Sequence, residues 1–157
     1  MKNALHILKT EIEEELRDLE RLRGEMSEVL KHSTPGFLET RAAGSILHDF
    51  YSGIEKIFRR IAVKIDRDVP SDEDWHTELL IRMSMSIDNI RPPVINVELK
   101  EQLGEYLRFR HLFRNIYGFE LKWERCKALG VMMIEILETF TKEIRKFFEF
   151  IESIKDI

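Results

Sequence analysis

The chain has 157 residues, 43% of them hydrophobic and 34% charged, with a net charge of −4 and a single cysteine. That balance predicts one soluble, helix-rich domain over residues 1–157, large enough to bury a core without disulfides or metals. It excludes a globally basic nucleic-acid binder, so any polyanion site must be a local patch, and the lone Cys126 excludes an intrachain disulfide.

Apolar residues recur at helical spacing in five segments. The first runs from about Asn3 to Lys31, with Leu5, Leu8, Ile12, Leu16, Leu19, Leu22, Met26 and Val29 three or four apart. Gly24 weakens it slightly, and the STPG run at 33–36 ends it. Its opening, MKNALHILKTEIEEEL, turns acidic by Glu11 and lacks the apolar core of a signal peptide.

The second segment spans about Thr40 to Asp66, striped by Leu47, Phe50, Tyr51, Ile54, Phe58, Ile61 and Ile65. The third is expected from Ser71 to Asp88, with Ser71 as N-cap and Asp72, Glu73 and Asp74 suiting the first turn. RPP at 91–93 follows it. The fourth begins near Asn96 and is expected to end at Gly118.

The fifth starts at Trp123 and carries a seam through Cys126, Leu129, Met133, Ile136, Phe140, Ile144, Phe147, Ile151 and Ile154. Unbroken, it would reach ~45 Å. No strand-like alternation, repeat or transmembrane-length apolar run occurs, so the fold class is all-α, an antiparallel bundle of about five helices. The seams of the first and fifth segments fit long antiparallel packing or a dimer interface. A cytoplasmic location without membrane contact fits the single cysteine.

Several chemistries find little support. The five histidines are scattered without an HExxH, and Glu73 with His76 is an isolated Glu-x-x-His pair, so no metal is expected. His76 beside Trp75 reads as a helix-surface residue, and Cys126 on the apolar seam reads as a small hydrophobe. Neither GxGxxG nor GxxxxGK[ST] occurs, and no cofactor is expected.

The stretch RFRHLFRNIYGF, residues 108–119, is different. At about 100° per residue, Leu103, Tyr106, Leu107, Arg110, Arg114 and Tyr117 share one wedge. Phe109, Leu112 and Ile116 take a second side, and Lys100, Gly104, Arg108, His111 and Asn115 form a polar strip. A guanidinium on an apolar wedge needs a partner. That partner could be a carboxylate such as Glu55, a second subunit, or a phosphate, which Arg grips at two points.

Three blocks resemble the HEPN superfamily (higher eukaryotes and prokaryotes nucleotide-binding), in its HepT-like ribonuclease-toxin branch. They are LHDFYSGIEKIFRRIA at 47–62, WHTELLIRM at 75–83, and RPPVIN with YLRFRHLFRNIYGFEL at 91–96 and 106–121. The resemblance implies a homodimeric helical bundle with a cleft at the dimer interface. It implies metal-independent cleavage of RNA, in which the 2′-hydroxyl attacks the adjacent phosphate, Arg stabilises the charge and His moves protons. It also implies a nucleotidyltransferase antitoxin that silences the toxin by adding AMP to a Tyr two residues after that His.

Carried over by residue, Arg110 takes the Arg position, Asn115 the His position and Tyr117 the AMPylated Tyr position. Asn cannot act as acid or base at neutral pH. The first expectation is therefore a toxin in which Arg110 and Arg114 bind the scissile phosphate, His111 shuttles a proton, Asn115 orients it and Arg108 adds RNA contact. The alternative is a catalytically inactive HEPN module that binds a nucleotidyltransferase partner, a nucleotide or RNA.

Overall fold

The computed structural model describes residues 2–154 and contains five α-helices, with no strand among the described residues. They are α1 (Lys2–Leu30), α2 (Phe37–Ile61), α3 (Trp75–Met83), α4 (Val97–Asn115) and α5 (Trp123–Ser153). The all-α expectation holds.

α1 and α2 form an antiparallel hairpin. The Glu39 side chain accepts from the Gly36 N–H at 2.7 Å, which fixes the start of α2. That bond holds the Glu39 carboxyl below its ordinary range. Near the far end of the hairpin Arg60 of α2 reaches Glu11 of α1. α5 runs antiparallel to α1, with Lys9 paired to Glu152 and Arg145 to Glu13. The two helices approach closely where a Cβ on Gly130 would stand 2.7 Å from the Met26 sulfur.

The expected stripes face inward. Leu8, Ile12, Leu16, Leu19 and Met26 of α1 are buried, as are Leu47 to Ile61 of the α2 stripe and Cys126 to Ile151 of the α5 seam. Burying each large side chain is worth about 1.5–3 kcal/mol. Phe58 and Phe140 meet edge to face at 5.8 Å across the middle of this core. Tyr106 of α4 donates its hydroxyl to the Leu129 carbonyl of α5 at 2.7 Å, so burial of its ring leaves no polar atom unmet.

α2 continues into a π-helical turn, Ala62–Asp66, that ends at Arg67 in the left-handed region with φ 56°. The turn delivers Asp66 to Arg91. All five N–H groups of Arg91 find oxygens: Asp66 accepts from Nε at 2.6 Å and from Nη2 at 3.0 Å, and the carbonyls of Met85, Pro92 and Arg82 take the rest.

This clamp corrects the expectation for the third segment. α3 stops at Met83, because the Met83 carbonyl accepts from the Val94 and Ile95 N–H groups rather than from a further helical turn. Its start is also later than expected. Residues 72–74 form a turn, Asp74 is the N-cap, and Ser71 lies outside the helix.

α4 begins as expected, with the Asn96 side chain accepting from the Leu99 N–H at 2.7 Å. Its end differs. The chain leaves the helix after Asn115, with Ile116 extended, and Gly118 opens a short 3₁₀ turn (Gly118–Glu120). Gly118 does not have a positive φ. Its value lies in what it lacks, since a Cβ there would stand 2.8 Å from the Arg41 guanidinium carbon.

Candidate active-site cleft

Ser52, Glu55 and Arg59 follow one another at spacings of three and four, so they line one face of α2. α3 and α4 pack against that helix, and between them lies a cleft of about 680 Å³. Its α4 wall carries Arg108, Arg110, His111, Arg114 and Asn115. Its opposite wall carries His76 of α3 and the acidic pair Glu73 and Asp74 of the turn that precedes it.

At the inner end of the cleft Glu55 has a side chain only 7% exposed. Its Oε2 lies 2.7 Å from His76 Nδ1, and its Oε1 lies 3.9 Å from Arg110 Nη1. Arg110 also donates from Nε to Ser52 Oγ at 3.2 Å. One buried carboxylate thus meets both the imidazole and the guanidinium, which is what keeps a guanidinium tolerable in a largely buried position. Among the described residues no protein acceptor pairs with Arg110 Nη2. The reading of Glu55 as a partner of Arg110 agrees with this geometry.

His76 was not legible as a site residue. Its ring stacks on Trp75 with centroids 3.6 Å apart, as adjacent surface aromatics do, and the Arg59 guanidinium carbon lies 5.1 Å from the Trp75 centroid. The same ring, however, is bonded to Glu55. The one sequence signal for it is its place inside the block WHTELLIRM, since the Glu-x-x-His spacing with Glu73 points to metal chemistry and not to Glu55. Among the described residues no cluster of His, Cys, Asp and Glu has the arrangement of a metal site.

Beside Glu55 and Arg110, Tyr51 is fully buried, and its hydroxyl has no partner among the described residues. Burial pushes its phenol well above the ordinary range; the Glu55 charge adds to this and Arg110 partly offsets it. It stays neutral and inert. Burial likewise pushes the Cys126 thiol up to about 11, so it remains a hydrophobic thiol at neutral pH.

The remaining sequence-stretch residues separate. Arg114 and His111 are exposed on the cleft rim, so only Arg110 of the two wedge arginines is drawn inward. Arg108 is exposed and pairs with Glu105 at 2.6 Å. Asn115 donates from Nδ2 to the His111 carbonyl at 2.7 Å, tying down the last turn of α4.

Tyr117 does not share the wedge with Arg110, because the helix has already ended. It is 71% exposed, stacks nearly parallel on Phe119 and is absent from the cleft lining. The second apolar side of α4 is split: Phe109 is buried, whereas Leu112 is 43% exposed. A groove of similar volume, about 700 Å³, lies between α1 and α5, but alternating surface charges such as Glu20, Arg23, Glu138 and Lys142 line it.

The family profile described as HepT-like protein matches residues 42–151, which takes in every residue of the cleft. No curated protein and no solved structure matches the chain. No helix among the described residues is long and apolar enough to cross a membrane.

Proposed function

The chain belongs to the HepT-like family, and from that premise we propose that it is the toxin of a HEPN–nucleotidyltransferase pair, a metal-independent endoribonuclease. Arg110 carries this reading. It is held beside a buried carboxylate yet keeps Nη2 free at the cleft. A phosphate entering there would meet a pre-positioned guanidinium, with Arg114 and Arg108 following the backbone along the rim. The Glu73 and Asp74 wall would repel the polyanion toward α4.

His111, on the same wall, would exchange protons with the reacting oxygens, and Asn115 would orient it through the bond to its backbone. A second copy would complete the cleft. Exposed Leu112, Tyr117 and Phe119 end α4 on an apolar surface, and Phe37 and Leu38 extend the first turn of α2 nearby, one turn before Arg41 meets Gly118. Tyr117, open to a partner enzyme, would accept the silencing AMP.

A catalytically inactive HEPN module that binds the nucleotidyltransferase, a nucleotide or RNA is favoured by one observation: Asn115 stands at the proton-transfer position and uses its amide on the backbone. Incubating the protein with mixed RNA in EDTA separates the two readings. The nuclease reading expects fragments with 2′,3′-cyclic phosphate ends that disappear in Arg110→Ala. Retained RNA binding without cleavage by the wild type would establish the binding module instead.

A further inference from the structure

We infer that His76, oriented by Glu55, is the group that takes the proton from the attacking 2′-hydroxyl, an assignment that rests on the ribonuclease reading above. His76 Nδ1 lies 2.7 Å from Glu55 Oε2, and a lone pair on each atom could not sustain that contact. Nδ1 therefore carries the hydrogen and donates it to the carboxylate. Arg110 Nη1 lies 3.3 Å from the same nitrogen, and with Nδ1 protonated the two donors converge on one carboxylate, whose Oε1 is 3.9 Å from Nη1.

In the neutral ring, a proton on Nδ1 leaves the lone pair on Nε2. No protein group pairs with it among the described residues, and the ring lines the cleft. Glu55 is sealed while the His76 side chain is 25% exposed, so the carboxylate is protected and the base reaches substrate. A carboxylate that fixes the tautomer and plane of an imidazole is the arrangement that general-base histidines use. The Trp75 stack restrains the ring further. Among the described residues no side chain bonds the His111 ring; it is exposed, and Asn115 reaches only its backbone carbonyl. The role vacated at Asn115 is thus filled from a different helix.

The reaction balances without any added reagent. His76 Nε2 accepts the 2′-hydroxyl proton, the 2′-oxygen bonds to phosphorus, and the bond from phosphorus to the 5′-oxygen breaks. The 5′-oxygen leaves with the electron pair and receives a proton from the His111 imidazolium. The products are a 2′,3′-cyclic phosphate and a 5′-hydroxyl, and water re-exchanges the protons between the two rings. Arg110, adjacent to His76, holds the phosphate whose neighbouring ribose is attacked.

The test measures kcat and KM for RNA cleavage by the full chain and its variants. His76→Ala and His76→Gln should each lose on the order of 10²–10⁴ in kcat with KM little changed. Free imidazole in the buffer should restore part of the rate to His76→Ala, and none to His76→Gln, whose side chain fills the space, or to Arg110→Ala. Glu55→Gln, which keeps an acceptor but not the charge, should lose kcat to a smaller extent and should not respond to imidazole. Wild-type rates in His76→Ala, or a loss confined to KM, would overturn the assignment and leave the ribonuclease reading standing. A kcat loss in His76→Ala that imidazole leaves untouched also overturns it. A wild type that cuts no RNA overturns both.

Discussion

Arg91 directs all five N–H groups at oxygens of its own chain and is 3% exposed, whereas Arg110, with a side chain 14% exposed, donates to a single oxygen among the described residues, Ser52 Oγ, and faces its carboxylate at 3.9 Å. Both guanidiniums have been drawn largely out of water. The first is complete and can do nothing further. The second is held in place but not used up. An arginine in an apolar stripe signals only that a partner exists; whether any donor is left for a ligand depends on the neighbouring chain.

The largest expected effect exploits this difference in stability. Arg91→Ala strands Asp66, whose side chain is 2% exposed, and should cost about 3–5 kcal/mol in urea unfolding. Arg110→Ala should cost only about 1 kcal/mol, because Glu55 keeps His76 as partner. On the activity axis the order reverses: Arg110→Ala should lose roughly 10²–10³ in cleavage rate, while Arg91→Ala, assayed well below its melting temperature, should cut at the wild-type rate. Equal stability losses in the two variants would break the comparison.

What is legible in the sequence is local, and the Arg91 clamp, like the cleft, is not. α1 and α5 begin and end within a residue or two of where their seams place them, because an amphipathic stripe and its cap are local properties. Asn96 caps α4 for the same reason. The misreadings come from tertiary contacts. α3 ends early because Val94 and Ile95, ten or more residues on, take the Met83 carbonyl. Gly118 serves Arg41 rather than a left-handed cap. His76 belongs to the cleft because α2 brings Glu55 to it, and no spacing within α3 encodes that.

A smaller effect sharpens the structural side. Tyr106→Phe removes the buried bond to the Leu129 carbonyl without opening a cavity, and should cost about 1 kcal/mol with cleavage unchanged. Thermal unfolding alongside a cleavage assay checks this, and a slowed reaction would show that the α4–α5 contact also tunes the cleft. Asn115→Ala sits between the two kinds of residue. Its bond to the His111 carbonyl is exposed, so stability should fall by about 0.5 kcal/mol, while kcat should fall several-fold as the last turn of α4 loosens around His111. An unchanged kcat would remove Asn115 from the positioning role.

The smallest effect on the isolated protein should come from Tyr117→Phe. The hydroxyl makes no protein bond among the described residues, and the ring stack on Phe119, with planes 8° apart, survives in phenylalanine. Stability should stay within about 0.5 kcal/mol of wild type, as for other exposed substitutions, and so should the rate of cleavage. The difference should emerge only beside a nucleotidyltransferase of the kind proposed above. Co-expressed wild type should gain the mass of AMP, and Tyr117→Phe should not. Because Tyr117 lies past the end of α4 and outside the cleft lining, AMP there would not neutralise Arg110. It would add bulk and negative charge at the exposed apolar end of α4, where RNA and a second subunit would both approach. Modified protein should accordingly bind RNA more weakly or lose its dimer, measured by fluorescence anisotropy and light scattering. A mass gain that persists in Tyr117→Phe would place the modification on another residue.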